Sequence, residues 1–319
     1  MVNHSYNINL TLNNKKTVFI DIMTIFRNVM IAFIVFAVLY MIVSWYIVNE
    51  SLKAKSNDIE HTPLEYGLVF EKISFAPRGE KHISLSGWWI PQENSKDKNT
   101  IIWVHGLDGA KDTRMEFLYD LYSAGYNVFT FDLRGHGESD IVPMGAGQHE
   151  RRDVQGAIDL LIEHKKAKSI GLIGISLGGA IVILSGNDPS VVAVIADSSF
   201  ASIPQLMEQE VSTRTSLPPF GVSLLKPGLI LGARWFKGVD LLGISPERFV
   251  GKIKFPIALI HCKDSKRVPI GHAERIQKNM PERSKSLIVG GCVHGGAYDY
   301  DKGKYLTFVF NYLEERFGQ

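Results

Sequence analysis

The chain has 319 residues, of which 45% are hydrophobic and 21% are charged, and its formal net charge is +2. This length and composition are sufficient for one large hydrophobic core, as in a single α/β domain. The charges form no block of one sign, which argues against the basic surface of a nucleic-acid-binding protein. We therefore expect no nucleic-acid partner.

The first distinctive segment is a run of twenty uncharged residues from Val29 to Val48. As a helix it would be about 30 Å long, which is the thickness of a bilayer core. Tyr40, Trp45 and Tyr46 lie towards its C-terminal end, where aromatic side chains suit the membrane interface. We predict a retained membrane anchor. A cleaved signal peptide is the main alternative, although no small-x-small cleavage site follows Val48. A buried core helix is a second alternative.

The polarity of the flanking residues divides the N-terminal region into three parts. We predict a polar tail in residues 1–16, a transmembrane anchor in 17–48 that contacts the bilayer through 29–48, and a polar linker in 49–65. Lys15, Lys16 and Arg27 precede the apolar run, whereas Lys53 and Lys55 follow it. This small excess of positive charge before the apolar run favours a single-pass protein with a cytoplasmic N-terminus and an extracytoplasmic domain.

Residues 66–319 alternate between strand-like and helix-like patterns, which predicts a mostly parallel sheet with helices on both faces. An antiparallel pair of strands, 68–76 and 83–90, is expected to open the domain. The further strands are predicted at 100–105, 126–132, 169–175, 191–197, 256–261 and 285–289. Helices are predicted at 114–124, 149–163, 177–185 and 302–317.

Residues 200–254 interrupt this alternation. They contain five prolines and an apolar segment from Gly221 to Phe236. Because the stretch lies between two core strands, we interpret it as a helical cap inserted over the strand ends. Ordinary α/β packing with long loops is the alternative.

The most informative motif is Gly174-Ile175-Ser176-Leu177-Gly178, which follows one apolar run and opens another. This arrangement predicts a strand, a sharp turn and a helix, with Ser176 exposed on the turn as a nucleophile. The N–H of Leu177 would lie at a helix N-terminus, where it can bind an oxyanion. A second oxyanion donor is expected from the N–H of Leu107, in the His-Gly-Leu-Asp-Gly segment after the third strand.

A candidate base lies near the C-terminus, in the sequence Gly290-Gly-Cys-Val-His294-Gly-Gly. The segment falls between the last strand and the last helix, and its glycines would allow the imidazole of His294 to reach inward. Acyl transfer by serine needs a nucleophile, a base, a group that orients the base, and oxyanion donors. The chain offers these candidates in the order serine, acid, histidine.

Five segments together resemble the α/β-hydrolase superfamily over residues 66–317. They are the His-Gly after the third strand, DLRGHGES at 132–139, GISLGG at 174–179, DSSF at 197–200 and VHGGAY at 293–298. The order resembles a branch of anchored serine hydrolases with lipase-, thioesterase- and aminopeptidase-like members. The resemblance implies the α/β-hydrolase fold with a mostly parallel eight-stranded sheet, a Ser-Asp-His triad, no cofactor and no metal.

The loop after the seventh strand departs from the family pattern His-Gly-x-x-Asp-x-x-Val-Pro. Here it reads HCKDSKRVP from His261, which puts Ser265 at the acid position and Asp264 one residue early. We predict that Asp264 reaches His294. Two alternatives stay open: Asp197 after the sixth strand supplies the carboxylate, or Ser265 orients the base weakly and activity is reduced or lost.

We therefore predict a membrane-anchored serine hydrolase that cleaves a small-molecule or lipid acyl ester through Ser176, Asp264 and His294. A thioesterase or peptidase of the same fold is one alternative, and an impaired scaffold that binds a lipid or a protein is another. The chain has two cysteines, Cys262 and Cys292, near the ends of late strands. If those strands are neighbours, the two can form a disulfide in an outside domain; two buried thiols are the favoured alternative.

Overall fold

A computed structural model describes residues 4–53, 58–92 and 99–318, although not the side chains of residues 4–21 and 213–214. The first element is a long helix, α1 (His4–Ser51). It begins within the range assigned to the polar tail, and residues 54–57 of the expected linker lie outside the described residues. Residues Ile22–Ser51 of α1 are long and apolar enough to cross a membrane, a test that a signal sequence also passes.

Strands and helices then alternate much as the sequence patterns predicted. The strands are β1 (Glu71–Phe75), β2 (Leu85–Ile90), β3 (Asn99–Val104), β4 (Asn127–Phe131), β5 (Ser169–Ile175), β6 (Val191–Asp197), β7 (Ala258–Cys262) and β8 (Lys285–Val289). The helices of the alternating core are α2 (Met115–Ser123), α3 (Glu150–Glu163), α4 (Leu177–Ser185), α8 (Ile270–Gln277), α9 (Ala297–Tyr300) and α10 (Lys302–Phe317). Between β6 and β7 lie α5 (Ile203–Thr215), α6 (Pro219–Lys237) and the short α7 (Pro246–Phe249).

Within the described residues, eight strands form one sheet in the order β1-β2-β4-β3-β5-β6-β7-β8. The strand β2 pairs antiparallel with both β1 and β4, and the other neighbours are parallel. This topology confirms the predicted α/β-hydrolase fold, including its antiparallel opening pair. The carboxyl ends of β3, β5, β6, β7 and β8 therefore meet at one edge, where ligands bind in open α/β sheets.

Two hydrophobic layers cover the sheet. One layer packs on α3, α4 and α8. It continues into α5, α6, the C-terminal end of α1 through Ile47 and Val48, and Leu52 just after that helix. The other packs on α2 and α10, through residues such as Trp103, Phe117 and Tyr305. The end of the candidate membrane helix is thus part of the core on the first side of the sheet.

The sequence DLRGHGES forms a hydrogen-bonded turn after β4. Both oxygens of the buried Asp132 are occupied: Oδ1 accepts from the Lys111 backbone N–H at 2.7 Å, and Oδ2 accepts from Lys111 Nζ at 2.6 Å. His105 accepts a hydrogen bond from the Leu133 N–H through Nε2 at 3.0 Å. These bonds fix the loops beside the strand ends.

Candidate active site

Ser176 lies at the sharp turn between β5 and α4, with φ 56° and ψ −114°. A positive φ is unfavourable for a residue with a side chain, and such strain is typical of a nucleophile turn. Packing around the turn requires both flanking glycines. A Cβ at Gly174 would overlap the backbone of Gly178, and a Cβ at Gly178 would overlap the carbonyl of Val104.

His294 faces this serine from the loop between β8 and α9. Its Nε2 is 2.9 Å from Ser176 Oγ, within hydrogen-bond distance. The next residue, Gly295, is held from both sides: its N–H donates to Ser198 Oγ at 3.1 Å, and its carbonyl accepts from Arg114. The structure therefore brings together the two residues that the sequence placed 118 positions apart.

The other ring nitrogen of His294 faces Ser265. The distance from Ser265 Oγ to His294 Nδ1 is 3.2 Å, and Ser265 Oγ also accepts from the Val268 N–H at 3.2 Å. A hydroxyl can donate to Nδ1 or accept from it, whereas a carboxylate can only accept. Ser265 therefore permits both neutral tautomers of the imidazole. One of them carries its proton on Nε2 and so cannot take a proton from Ser176.

The two candidate aspartates are bonded elsewhere, which corrects the expected placement of Asp264. Its Oδ2 accepts from the Gly291 N–H at 2.6 Å, whereas the hydrogen bonds of the His294 ring go to Ser176 and Ser265. Asp197 is buried behind Ser198, which donates to its Oδ1 at 2.8 Å. Tyr305 donates to the Oδ2 of Asp197 at 3.1 Å, and burial raises the pKa of this carboxyl to about 6.

Burial also controls the protonation of His294. Its pKa is lowered to about 4, first by desolvation and then by the charges of Arg267 and His261. Glu210 acts in the opposite direction. The imidazole is consequently neutral at pH 7 and free to act as a base, but it is a weaker base than a histidine paired with a carboxylate.

The expected oxyanion donors lie beside the nucleophile. Leu177 is the first residue of α4, and the first N–H groups of a helix have no acceptor within it. The loop after β3 packs on the same turn, since a Cβ at Gly106 would be 3.3 Å from Ser176 Cβ. Leu107 and Leu177 both line a pocket that also contains Ser176.

This pocket is strongly apolar and holds about 870 Å³ of empty space, counting its open mouth. Among the described residues that line it, only Ser51, Ser176, Glu210 and Arg267 are not hydrophobic. Glu210 and Arg267 form a two-point ion pair, with Arg267 Nε 2.7 Å from Glu210 Oε1.

Sequence reasoning missed two parts of this pocket. One wall is formed by Ile47 and Val48 of α1 and by Leu52 just after it, although the sequence assigned that region to the anchor and the linker. The apolar run continues into Ile47 and Val48 without a break, and this was the sequence feature that could have indicated apolar contacts of these two residues. The Glu210–Arg267 pair joins α5 to the loop after β7, and no local pattern links residues 57 positions apart.

The two cysteines form a disulfide. This corrects the preference for buried free thiols: β7 and β8 are paired neighbours, so Cys262 at the end of β7 lies against Cys292 in the following loop. In the part of the chain that the structure describes, no group of three or more His, Cys, Asp or Glu side chains is arranged to hold a metal ion.

Comparisons with known proteins agree with this fold. A model of the serine aminopeptidase S33 family, Hydrolase_4, matches residues 95–217. The chain is 25% identical over 275 residues to the uncharacterized protein YqkD of Bacillus subtilis, covering 83% of this chain and 87% of that one. It is also 25% identical over 213 residues to the lysophosphatidylserine lipase ABHD12 of Danio rerio, covering 62% and 51% of the two chains.

Among solved structures, the esterase Pf2001 of Pyrococcus furiosus superposes with a TM-score of 0.67 at 22% identity. The superposition covers 83% of this chain and all of the esterase. The likeness to this structure shows the α/β-hydrolase fold.

Proposed function

We propose that this protein is a membrane-anchored serine hydrolase that cleaves esters with an apolar acyl group. The observation that carries the proposal is the 2.9 Å separation of Ser176 Oγ and His294 Nε2 at a strained strand–helix turn. A serine paired with a neutral imidazole is the minimal arrangement for forming an acyl-enzyme. The apolar pocket beside the serine supports an acyl group as the part of the substrate that it binds.

In the proposed reaction, Ser176 Oγ attacks the ester carbonyl while His294 Nε2 takes the hydroxyl proton. The N–H groups of Leu107 and Leu177 stabilise the oxyanion. Collapse of the tetrahedral intermediate expels the alcohol, which receives the proton from His294. Water then attacks the acyl-enzyme with His294 again as base, which releases the carboxylic acid and restores Ser176.

We assign the orientation of His294 to Ser265 rather than to Asp264, because Ser265 is the side chain within reach of Nδ1. A neutral orienting group stabilises the developing imidazolium less than a carboxylate does. Loss of that carboxylate in a serine protease lowers kcat by about 10⁴-fold. Slow turnover is therefore part of the proposal.

The pocket favours an ester over a peptide with a free amino terminus. An aminopeptidase needs an unpaired carboxylate to bind the substrate ammonium, whereas the pocket carboxylate, Glu210, is bonded to Arg267 at two points. Among the relatives, Pf2001 is named as an esterase and ABHD12 as a lysophosphatidylserine lipase. Both names support hydrolysis of an acyl ester.

The proposed location is a membrane, with α1 as a retained single-pass anchor and the hydrolase domain outside the cytoplasm. The length and hydropathy of Ile22–Ser51 support the anchor. The burial of Ile47 and Val48 against the hydrolase core also supports retention, since cleavage after the apolar run would remove part of the pocket wall. The disulfide supports an oxidising compartment.

An impaired scaffold that binds a lipid is the second candidate, favoured by the hydroxyl in the position of the acid. Labelling of the full chain in detergent by a fluorophosphonate separates the two. We expect labelling of the wild type and of Ser223→Ala, a matched change of an exposed serine on α6, but none of Ser176→Ala. An unlabelled, folded wild type would favour the scaffold, and equal labelling of Ser176→Ala would refute the assigned nucleophile.

A further inference from the structure

Helix α6 has one face towards the pocket and another towards the outside. Leu229 and Ala233 are buried and line the pocket that contains Ser176. On the outer face, four large hydrophobic side chains follow one another at intervals of four, seven and four residues, which places them along one stripe of a helix. This outer stripe consists of Phe220, Leu224, Leu231 and Trp235, with exposed fractions of 78%, 74%, 42% and 67%.

The same helix packs along the C-terminal part of α1. Tyr40 Oη lies 3.2 Å from the Leu224 carbonyl oxygen and accepts from the Gly228 N–H at 3.0 Å. One helical segment further on, Lys237 Nζ donates to Asn49 Oδ1 at 2.8 Å. Residue numbers rise together in both helices, so α6 runs parallel to α1 over residues 40–49.

Close packing between these helices depends on a glycine. A Cβ at Gly228 would overlap the side chains of Ser44 and Tyr40. Ser44, Ile47 and Val48 are buried, whereas α1 residues before Tyr40, such as Phe33 and Phe36, are 65% and 66% exposed. The outer stripe of α6 thus continues the exposed apolar surface of α1 on a neighbouring helix.

The position along α1 determines the depth of this stripe. A bilayer core takes about 20 helical residues. Whether they are counted from Ile22 or from Val29, Tyr40 lies inside the core and Asn49 lies outside it. The first turns of α6 would then lie below the membrane surface, while Arg234 and Lys237 in its last turn would meet the headgroups.

We propose that the outer stripe is seated in the bilayer next to α1, and that the pocket behind α6 takes long-chain acyl esters directly from the membrane. This inference rests on the proposed anchor and deepens the proposed function. The two helices that contact the lipid are also pocket walls, through Ile47 and Val48 of α1 and Leu229 and Ala233 of α6. In this arrangement, an acyl chain would pass from the bilayer beside α1 or α6 into the pocket that contains Ser176.

Depth measurements on the full chain in phosphatidylcholine nanodiscs test the seating. An environment-sensitive fluorophore is attached at Leu224→Cys, with Val38→Cys on α1 as the anchor reference. Val69→Cys is the control for an exposed apolar residue elsewhere, since Val69 is 68% exposed and lies beside Leu68, whose core layer covers the opposite side of the sheet. The unsubstituted protein, whose two cysteines are paired, gives the background labelling.

Lipids that carry a nitroxide on the acyl chain should quench the fluorophore at residues 38 and 224 but not at residue 69. Quenching at residue 38 alone would overturn the seating of α6 and leave the anchor intact. Quenching at neither residue would overturn the anchor and, with it, this inference. Equal quenching at residues 69 and 224 would mean that the outer stripe lies no deeper in the bilayer than an exposed apolar residue elsewhere, which would overturn the seating of α6.

Activity gives an independent test. The anchor α1 keeps the protein in the vesicle, but polar residues in the outer stripe would weaken the seating of α6 in the bilayer. Leu224→Asn combined with Trp235→Gln should therefore lower hydrolysis of a long-chain ester in vesicles by about tenfold. Hydrolysis of a short soluble ester should stay unchanged, which also shows that the variant is folded. An equal loss with both esters, or none with the vesicle ester, would overturn the inference, while Ser176→Ala separately tests the chemistry by removing both activities.

Discussion

Ser265 Oγ lies 3.2 Å from His294 Nδ1, in the position where the superfamily pattern has a carboxylate. The backbone of the loop supports this placement, because the N–H of Val268 donates to the same hydroxyl at 3.2 Å. The side chain one residue earlier, Asp264, bonds across to Gly291. In the proposed site, Ser176 and His294 are therefore within hydrogen-bond distance of each other, and the group that faces His294 Nδ1 is neutral.

Ser265→Asp should increase catalysis. A carboxylate at this position accepts from Nδ1–H, holds the productive tautomer and stabilises the imidazolium, so we expect kcat for a short p-nitrophenyl ester to rise at least about tenfold. Ser265→Asn is the matched control, since it has the same shape without the charge. Equal rates for the Asp and Asn variants would contradict the assigned role of Ser265.

Asp264→Asn should have little effect on chemistry. An amide oxygen can still accept from the Gly291 N–H, and the side chain does not contact the imidazole. We expect the rate of fluorophosphonate labelling to change by less than about tenfold, compared with the loss of about 10⁴-fold when a true orienting carboxylate is removed. A loss near 10⁴-fold would restore Asp264 as the acid, and a selective loss in Asp197→Asn would assign that role to Asp197.

Activity should persist into acidic solution. The free-enzyme pH profile of kcat/KM reports the pKa of the base, and burial, Arg267 and His261 lower the pKa of His294 to about 4. Because the neutral imidazole is the active form, kcat/KM should be nearly constant from pH 7 downwards and decline only near pH 4. A midpoint near the ordinary histidine value of about 6.5 would contradict this assignment.

Arg267→Gln should shift the acidic limb of that pH profile. Removing a positive charge that lowers the pKa of His294 should raise it, and Glu210, released from its ion pair, acts in the same direction. The acidic limb should therefore move to higher pH in the variant. A shift to lower pH would show that the charge of Arg267 does not act on the base.

Removal of the disulfide should destabilise the domain. The bond joins the end of β7, which leads to Ser265, to the loop that carries His294. Native disulfides typically contribute about 2–4 kcal/mol, so Cys262→Ala with Cys292→Ala should lower the thermal midpoint by several degrees. Thiol titration of the denatured, unreduced protein checks the bond itself, and two free thiols per chain would contradict it.

Much of the fold and site follows from local sequence signals. Alternating apolar runs predicted the strands and helices of the sheet, because these patterns reflect which side chains each element must bury. The glycines around Ser176 predicted the turn, because a Cβ at either position collides with backbone. The approach of His294 to Ser176 was also expected from the sequence, since His294 lies in a glycine-rich loop after the last strand.

Tertiary structure alone decided which side chain faces His294. Asp264 and Ser265 are adjacent in sequence, and a difference of one residue in a loop turns a side chain towards the base or away from it. Pairing of β7 with β8 likewise decided the disulfide. The position of α1 as a pocket wall could not be predicted from the sequence either. Hydropathy measures how apolar a helix is, whereas the contacts of α1 depend on distant elements, such as Gly228 of α6, which is 188 residues from its partner Tyr40.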